Sequence, residues 1–285
     1  MINGITATVI KDSYNTSGTR LTTFELEYPR FVHSELMTHR MLSKNCASSR
    51  AIPIQRINEL VYSDPAMPVW WGQNQAGMSA KEELTGSKLD AAQTMWVFGS
   101  KMAVELSKQL HMIGLHKQIT NRVTEPWQTM KTVISGTEWA NFLWLRDHED
   151  AQPEIAELAR KMSVEFNNST PLLLTPGQWH LPYVDDENID VELGKKISAS
   201  CCAQVSYRRL DDSLEKALDI YDKLIGMSRK HASPFEHQAT PMDLVVGADE
   251  WQAGVTHVDR NYEMWSGNFK HWIQHRQLIE GHSTW

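Results

Sequence analysis

From Thr22 to Tyr28 the chain alternates, with Thr22, Phe24, Leu26 and Tyr28 on one side of a period of two and Thr23, Glu25 and Glu27 on the other. That pattern predicts a strand with one buried and one wet face. Pro29 stops its ladder and opens a helix carrying Val32, Leu36 and His39 on a single face, so the residues after 38 begin at a helix end and run into a loop. From Asp64 to Lys88 no period survives. Pro65, Pro68, Trp70, Trp71, Gly72, Gly77 and Gly86 instead mark a long ordered loop or lid. Helical spacing returns over residues 89–113 with Leu89, Ala92, Trp96, Leu106, Leu110 and Ile113, which predicts a long amphipathic helix whose apolar side is core. Further helices are expected over Thr137 to Arg146, and from Pro153, with Ile155, Leu158, Met162 and Phe166 inward, to the break at Asn167, Asn168 and Pro171. Another follows the Asp211-Asp212-Ser213 cap and runs to Arg229. Helix dominates with a modest sheet, which is an α+β pattern. No internal repeat or low-complexity tract interrupts it, so residues 1–285 read as one domain, with the acidic, turn-like stretch Pro182 to Asn188 as the best candidate for a sub-boundary.

Composition narrows the function classes. A 285-residue chain with 41% hydrophobic residues can bury a substantial core. Lys and Arg are outnumbered 28 to 35 by Asp and Glu, and the net charge of −7 argues against a nucleic-acid partner, which rewards a concentrated basic face. Any anionic ligand must then be held by a few local arginines. Three cysteines, with Cys201 and Cys202 adjacent and no CxxC pair, point to reduced thiols rather than a disulfide framework. The start, Met-Ile-Asn-Gly-Ile-Thr, lacks a basic, apolar leader, and no run approaches the roughly 18 apolar residues of a membrane helix. The expectation is a cytoplasmic protein with no membrane partner.

Residues 38–50 read Thr-His-Arg-Met-Leu-Ser-Lys-Asn-Cys-Ala-Ser-Ser-Arg, a poor core element and a good ligand cradle. His39, Arg40, Ser43, Asn45, Ser48 and Arg50 supply two permanent cations and small hydrogen-bonding groups, the combination that grips a phosphate and a heterocycle edge. Taken alone, His39 and Arg40 read as a solvated helix end, and only the spaced Ser48 and Arg50 turn the reading toward a site. Arg146 by default is a cation compensating a helix C-terminus, Arg122 an ion-pair member, and Glu236 and His237 turn residues after Pro234. His271 and His275 have a metal-like i, i+4 spacing on an expected helix but lack a third ligand, so no metal is assigned. Cys46 has no His–acid pair beside it to make it a nucleophile.

The tail of that stretch resembles the signature of the flavin-dependent thymidylate synthases, the ThyX family: Arg-His-Arg, seven residues, Ser, then Arg two positions on. All of it is present except the first Arg, replaced by Thr38. The resemblance covers residues 21–59, 114–170 and 197–243. It includes Pro29-Arg-Phe-Val ahead of the signature, Asn141-Phe-Leu-Trp-Leu-Arg146 with Ala151-Gln-Pro-Glu-Ile155, Arg122 four residues before Pro126, and Ser206-Tyr207 with His231-Ala-Ser-Pro-Phe-Glu-His237. In ordinary members the last block precedes the signature; here it follows by nearly 200 residues, as in a circular permutation, which is tolerable where core contacts survive.

The resemblance implies a long-helix bundle packed on a small, mostly antiparallel sheet and a homotetramer with shared active sites. It also implies transfer of a one-carbon unit from 5,10-methylenetetrahydrofolate to C5 of a deoxypyrimidine monophosphate, dUMP to dTMP, with FAD as cofactor and NADPH as reductant. The absence of a G-x-G-x-x-G fingerprint agrees with a flavin site outside a Rossmann crevice. Carried residue by residue, it places Arg146 against the pyrimidine ring as the catalytic group and Glu35, Ser48, Arg50 and Arg122 around the substrate. His39, Arg40, Asn45, Asn141, Ser206, His231, Ser233 and Glu236 fall to the flavin. Ser135 and Thr137 stand where the family commonly has Asn and Arg near the flavin, and Glu35 where it usually has Gln. A carboxylate only accepts hydrogen bonds, so Glu35 suits cytosine N4 as well as uracil N3–H, which keeps a dCMP (hydroxy)methylase open as an alternative. A non-catalytic nucleotide-binding protein and a structural subunit are the remaining classes.

Overall fold

The computed structural model describes residues 4–186, 188–205, 213–243 and 251–283. Strands β1 (Thr6–Asn15) and β2 (Arg20–Pro29) form an antiparallel hairpin. Its turn closes on Asn15: the Asn15 carbonyl accepts from Gly18 N at 2.9 Å, and its side chain from Thr19 N at 2.9 Å. Gly18 sits there at φ +78°, in the left-handed region that glycine enters without penalty. After a 3-10 turn at Arg30–Val32 and helix α1 (His33–Met37), the chain enters β3 (Ser43–Cys46). Helices α2 (Ile54–Ser63), α3 (Gly86–Met112) and α4 (Lys117–Thr120) and the 3-10 segment Asn121–Trp127 lead into β4 (Thr129–Gly136). Then come α5 (Ala140–Arg146), α6 (Pro153–Asn168) and β5 (Leu172–Leu174). The five strands make one sheet in the order β3-β4-β2-β1-β5, antiparallel except for the β1–β5 pair.

One face of this sheet carries the main core. Phe24, Leu26 and Tyr28 of β2 pack with Val32, Leu36, Leu42, Met130, Ile134, Trp139 and Phe142, and with Ile155, Leu158 and Met162 of α6, as the alternation and the helical spacing required. Pro153 opens α6, where its missing N–H costs nothing. Buried Glu154 in the first turn accepts from Val69 N at 2.8 Å and so ties down the long loop. That loop is ordered: Ala66 N donates to Trp127 O, and Trp96 Nε1 donates to Ala66 O, both at 2.9 Å.

The other face is not wet, as the alternation had suggested. Beyond α7 (Val191–Ala203) and α8 (Leu214–Gly226) come β6 (Ala239–Pro241) and a three-stranded sheet of β7 (His257–Val258), β8 (Met264–Ser266) and β9 (Phe269–Lys270), with β10 (Trp272–Gln274) pairing with β6. This C-terminal part covers the end of β2 at Thr23, whose hydroxyl lies 2.6 Å from Ser135 Oγ and 2.9 Å from His180 Nε2. His180 Nδ1 lies 2.9 Å from Ser13 Oγ, and Ser135 Oγ 2.8 Å from His237 Nδ1. Thr23, Ser135, His180 and His237 are fully buried, and the two hydroxyls, both His180 nitrogens and His237 Nδ1 replace water with a protein partner, while His237 Nε2 is buried without one. At the other end Glu25 and Glu27 stay half-buried beside Lys131.

Three other expectations change. The apolar side of α3 is only partly core: Leu106 and Ile113 are exposed, in line with Met95, Phe98 and Met102, while Val104 packs against Ile57 and Val61 of α2. The helix expected from Thr137 begins at Ala140, because Thr137 Oγ1 is taken by Lys270 N at 3.1 Å. His271 and His275 lie on no α-helix. His271 stands at φ +57° just ahead of β10, bonded to Glu263 at 2.6 Å, and His275 is buried against Trp179 and Phe235. Ser213 caps α8 through Lys216 N as expected, while Asp211 and Asp212 lie outside the described residues.

Candidate functional site

The α1 end, the turn 38–42 and β3 present the signature residues, and α5 brings Arg146 against them. Arg146 Nε donates to His39 Nε2 at 2.9 Å, its Nη1 lies 3.2 Å from Glu35 Oε2, and its Nη2 lies 3.4 Å from Thr38 Oγ1. Three nitrogens of one guanidinium thus read three residues of the helix end, a planar fork that lysine could not reproduce. His39 packs edge-on against Phe142 at 4.9 Å. Burial first, then the Arg146 and Lys44 charges, lower its pKa from 6.5 to about 4. The imidazole is therefore neutral at neutral pH, and because Nε2 accepts from Arg146, the proton sits on Nδ1.

Lys44 reaches back along the turn to the His39 and Leu42 carbonyls. Ser43 Oγ donates to Asn268 Oδ1 at 3.0 Å, and buried Asn45 donates to the Cys202 carbonyl at 3.3 Å. Burial pushes the Cys46 thiol up, against the lowering pull of Thr132, Lys44 and Arg30, so it stays protonated and is a poor nucleophile.

Past β3, Ser48 and Arg50 are exposed. Asn121, immediately before Arg122, donates to the Ser49 carbonyl at 2.7 Å and the Ile52 carbonyl at 3.1 Å, which seats the Arg50 loop against the Arg122 segment. Arg122 pairs with Glu125 at 3.2 Å, a carboxylate that Arg30 also holds at 2.8 Å. Within one chain the arginines therefore stand at two ends of β3, Arg50 and Arg122 at one and Arg146 at the other. Four strand residues at about 3.3 Å each lie between the two ends.

The block that trails the signature in sequence lies against it in space. Pro234 opens the 3-10 turn Ser233–Glu236, and Phe235 is buried between the rings of Tyr221 and His275. The Gln274 side-chain amide donates to Ser43 Oγ at 3.2 Å and to the Glu236 carbonyl at 3.0 Å, so one side chain joins the two blocks. The Glu236 carboxylate pairs with Arg276. Gln274, Asn268 and Arg276 also lie at this junction, and the sequence reading passed over them because Gln274 ends a three-residue strand and the other two sit in short turns that show no period. Ser206 lies outside the described residues.

The donor set fits a flavin in part. Arg40, Asn141, His231 and Ser233 are exposed, and their side chains make no hydrogen bond or ion pair with the described residues, which leaves them available to an anionic, hydrogen-bonding group. His39, Asn45 and Glu236 are already engaged within the chain and shape the surface instead. Ser135 and Thr137 are closed off by His237 and Lys270. Among the described residues no three His, Cys, Asp or Glu side chains gather as a metal site, and no helix is long and apolar enough to cross a membrane.

A mixed sheet whose edge strand follows the signature turn, with that turn clamped by an arginine from a later helix, is the frame of the candidate site. The family model for thymidylate synthase complementing protein, Thy1, matches residues 19–172, and the chain belongs to that family, the flavin-dependent thymidylate synthases. It is thus an enzyme of the thymidylate synthase-like methyltransferase type, acting at C5 of a pyrimidine nucleotide. Among solved structures it is similar to a UMP/dUMP methylase, PolB from Streptomyces cacaoi, bound with 5-Br dUMP, at 16% identity and TM-score 0.48, over 59% of this chain and 91% of that one. It is likewise similar to PolB bound with 5-Br UMP, at 17% identity and TM-score 0.48, over 59% and 90%. No curated protein matches in sequence.

Proposed function

We propose that the chain methylates dUMP to dTMP, with FAD as cofactor, NADPH as reductant and 5,10-methylenetetrahydrofolate as carbon donor. The observation that carries this reading is the Arg146 fork on Glu35, Thr38 and His39, a guanidinium set in one plane at the signature. A bound reduced flavin would supply the hydride, so no protein thiolate would need to attack the ring, and the protonated Cys46 is consistent with that. The protein binds and orients. Arg50, Arg122 and Ser48 hold the 5′-phosphate, and Arg40, Asn141, His231 and Ser233 hold the flavin. Arg146 stabilises charge on the pyrimidine carbonyl, an interaction worth about 2.7–4 kcal/mol for preorganised donors. Neutral His39 orients Arg146 without adding a competing charge. Glu35 accepts from the base edge.

A homotetramer with shared sites accompanies this reading, supported by the apolar stripe of Met95, Phe98, Met102 and Leu106 along α3, each more than half exposed. The test is a visible absorbance spectrum of the purified protein, followed by tritium release from C5-labelled dUMP and dCMP with NADPH and methylenetetrahydrofolate. Flavin bands and release from dUMP are expected. Release from dCMP alone would overturn the dUMP assignment, and neither flavin nor release would overturn the enzyme reading as a whole.

A further inference from the structure

The cations around the signature do not balance locally. Arg146 faces its own carboxylate, Glu35. Arg276 has Glu236, and Lys44 lies on the strand beside the Glu236 turn. Arg276 Nη1 pairs with that carboxylate directly, and the Ser233–Glu236 turn packs against β3, the strand that carries Lys44; burial lowers the Lys44 pKa and the Glu236 charge opposes that. The Lys44 hydrogen bonds go only to the neutral carbonyls of His39 and Leu42. Among the described residues Arg276 pairs with Glu236 alone and Lys44 makes no ion pair, so of two cations mostly withdrawn from water one is neutralised directly.

Donor capacity is also left over. Arg276 Nε meets His282 Nδ1 at a long 3.4 Å, and its Nη2 donates to no described residue. A guanidinium has five N–H groups in a fixed fork, and the outward pair suits a phosphate. The support beneath it is rigid: Arg276 follows buried His275, whose N donates to the Gln238 carbonyl at 2.9 Å, and fully buried Trp272 and Ile273. Gln274 then ties the segment to Ser43 and to the Glu236 carbonyl.

We propose that Arg276, with Lys44, forms a phosphate-binding subsite that the C-terminal segment adds to the signature turn. Its ligand is a phosphate or pyrophosphate group. A nucleoside 5′-phosphate and the pyrophosphate of a dinucleotide such as FAD both present it, and the assignment to either one rests on the proposed function, while the subsite itself does not.

The test is calorimetric titration of wild type, Arg276→Gln, Arg276→Lys and Lys44→Gln with inorganic pyrophosphate, dUMP and FAD at low and high salt. Arg276→Gln is expected to weaken pyrophosphate, and whichever of dUMP or FAD uses the subsite, by about tenfold or more, with the slope of log Kd against log salt reduced by about one. Arg276→Lys should fall between, because it keeps the charge and loses the fork. If pyrophosphate binds wild type but not Arg276→Gln while dUMP and FAD bind neither, the subsite stands and the function proposed above falls. Unchanged affinity of Arg276→Gln for all three ligands overturns the subsite and leaves that function standing. Should Arg276→Gln lose its cooperative melting transition, Lys44→Gln decides: undiminished binding of all three overturns the proposal.

Discussion

Arg146 has two duties that a single substitution separates. It holds α5 to the end of α1 through Glu35, Thr38 and His39, and in the proposed chemistry it faces the base. Arg146→Ala is expected to lower kcat by about 10²–10³-fold, the range for losing one preorganised donor, with a much smaller change in nucleotide Kd. Steady-state kinetics with a parallel binding titration checks this, and equal losses in both would place Arg146 at the phosphate instead. The candidate residue types were legible from the spacing of His39, Arg40, Ser48 and Arg50. What Arg146 touches was not, because its partners lie more than 100 positions away and no local period links α5 to α1. Arg276 was less visible still, since the i, i+4 histidines around it suggested a helix where the chain forms a strand and a 3-10 turn.

At the level of elements, helices and strands with one clear apolar face were readable: β2 and α6 put the side chains the period selected into the core. Where an element has two partners, or an absent one, the pattern misled. Thr23 looked solvent-facing and is buried under His180 and Ser135, and Leu106 looked like core and is exposed on α3. The α3 stripe has a measurable consequence. Phe98→Glu puts a charge in its middle, and burying an unpaired carboxylate is costly, so the variant is expected to dissociate toward monomer by light scattering with its helix content unchanged. An oligomer of unaltered mass would remove α3 from any interface between copies.

Across the whole molecule, the C-terminal part is fixed to the sheet by neutral buried histidines. Burial lowers His237 to about 3, His275 to about 4, and His180 well below its ordinary value, with His39 at about 4 near the signature. The unfolded chain takes up these protons near pH 6.5, whereas the folded chain resists until about pH 3–4. The unfolded state therefore binds more protons across that window, and stability falls as pH drops through it. For rings shifted as far as His237 and His275 the pH-dependent part is on the order of a few kcal/mol, and it is complete above pH 6.5. Urea melts at pH 7 and pH 5 should show a lower midpoint at pH 5 with an unchanged m-value, and His237→Gln should flatten that dependence. Equal midpoints at both pH values would mean that these rings are not neutral and buried together.

The sequence by itself determined the α+β class, the main strands and helices with one apolar face, and the signature turn, because each is written in side chains within a few positions of one another. Only the tertiary structure decided which face of β2 is dry, that Ser135 and Thr137 lie beneath the C-terminal part, and that the block at His231–His237 meets β3 through Gln274. Those outcomes rest on hydrogen bonds between residues far apart in sequence, all but the Gln274–Glu236 contact spanning more than 100 positions. Their strength depends on burial and geometry, and neither exists until the chain has closed on itself.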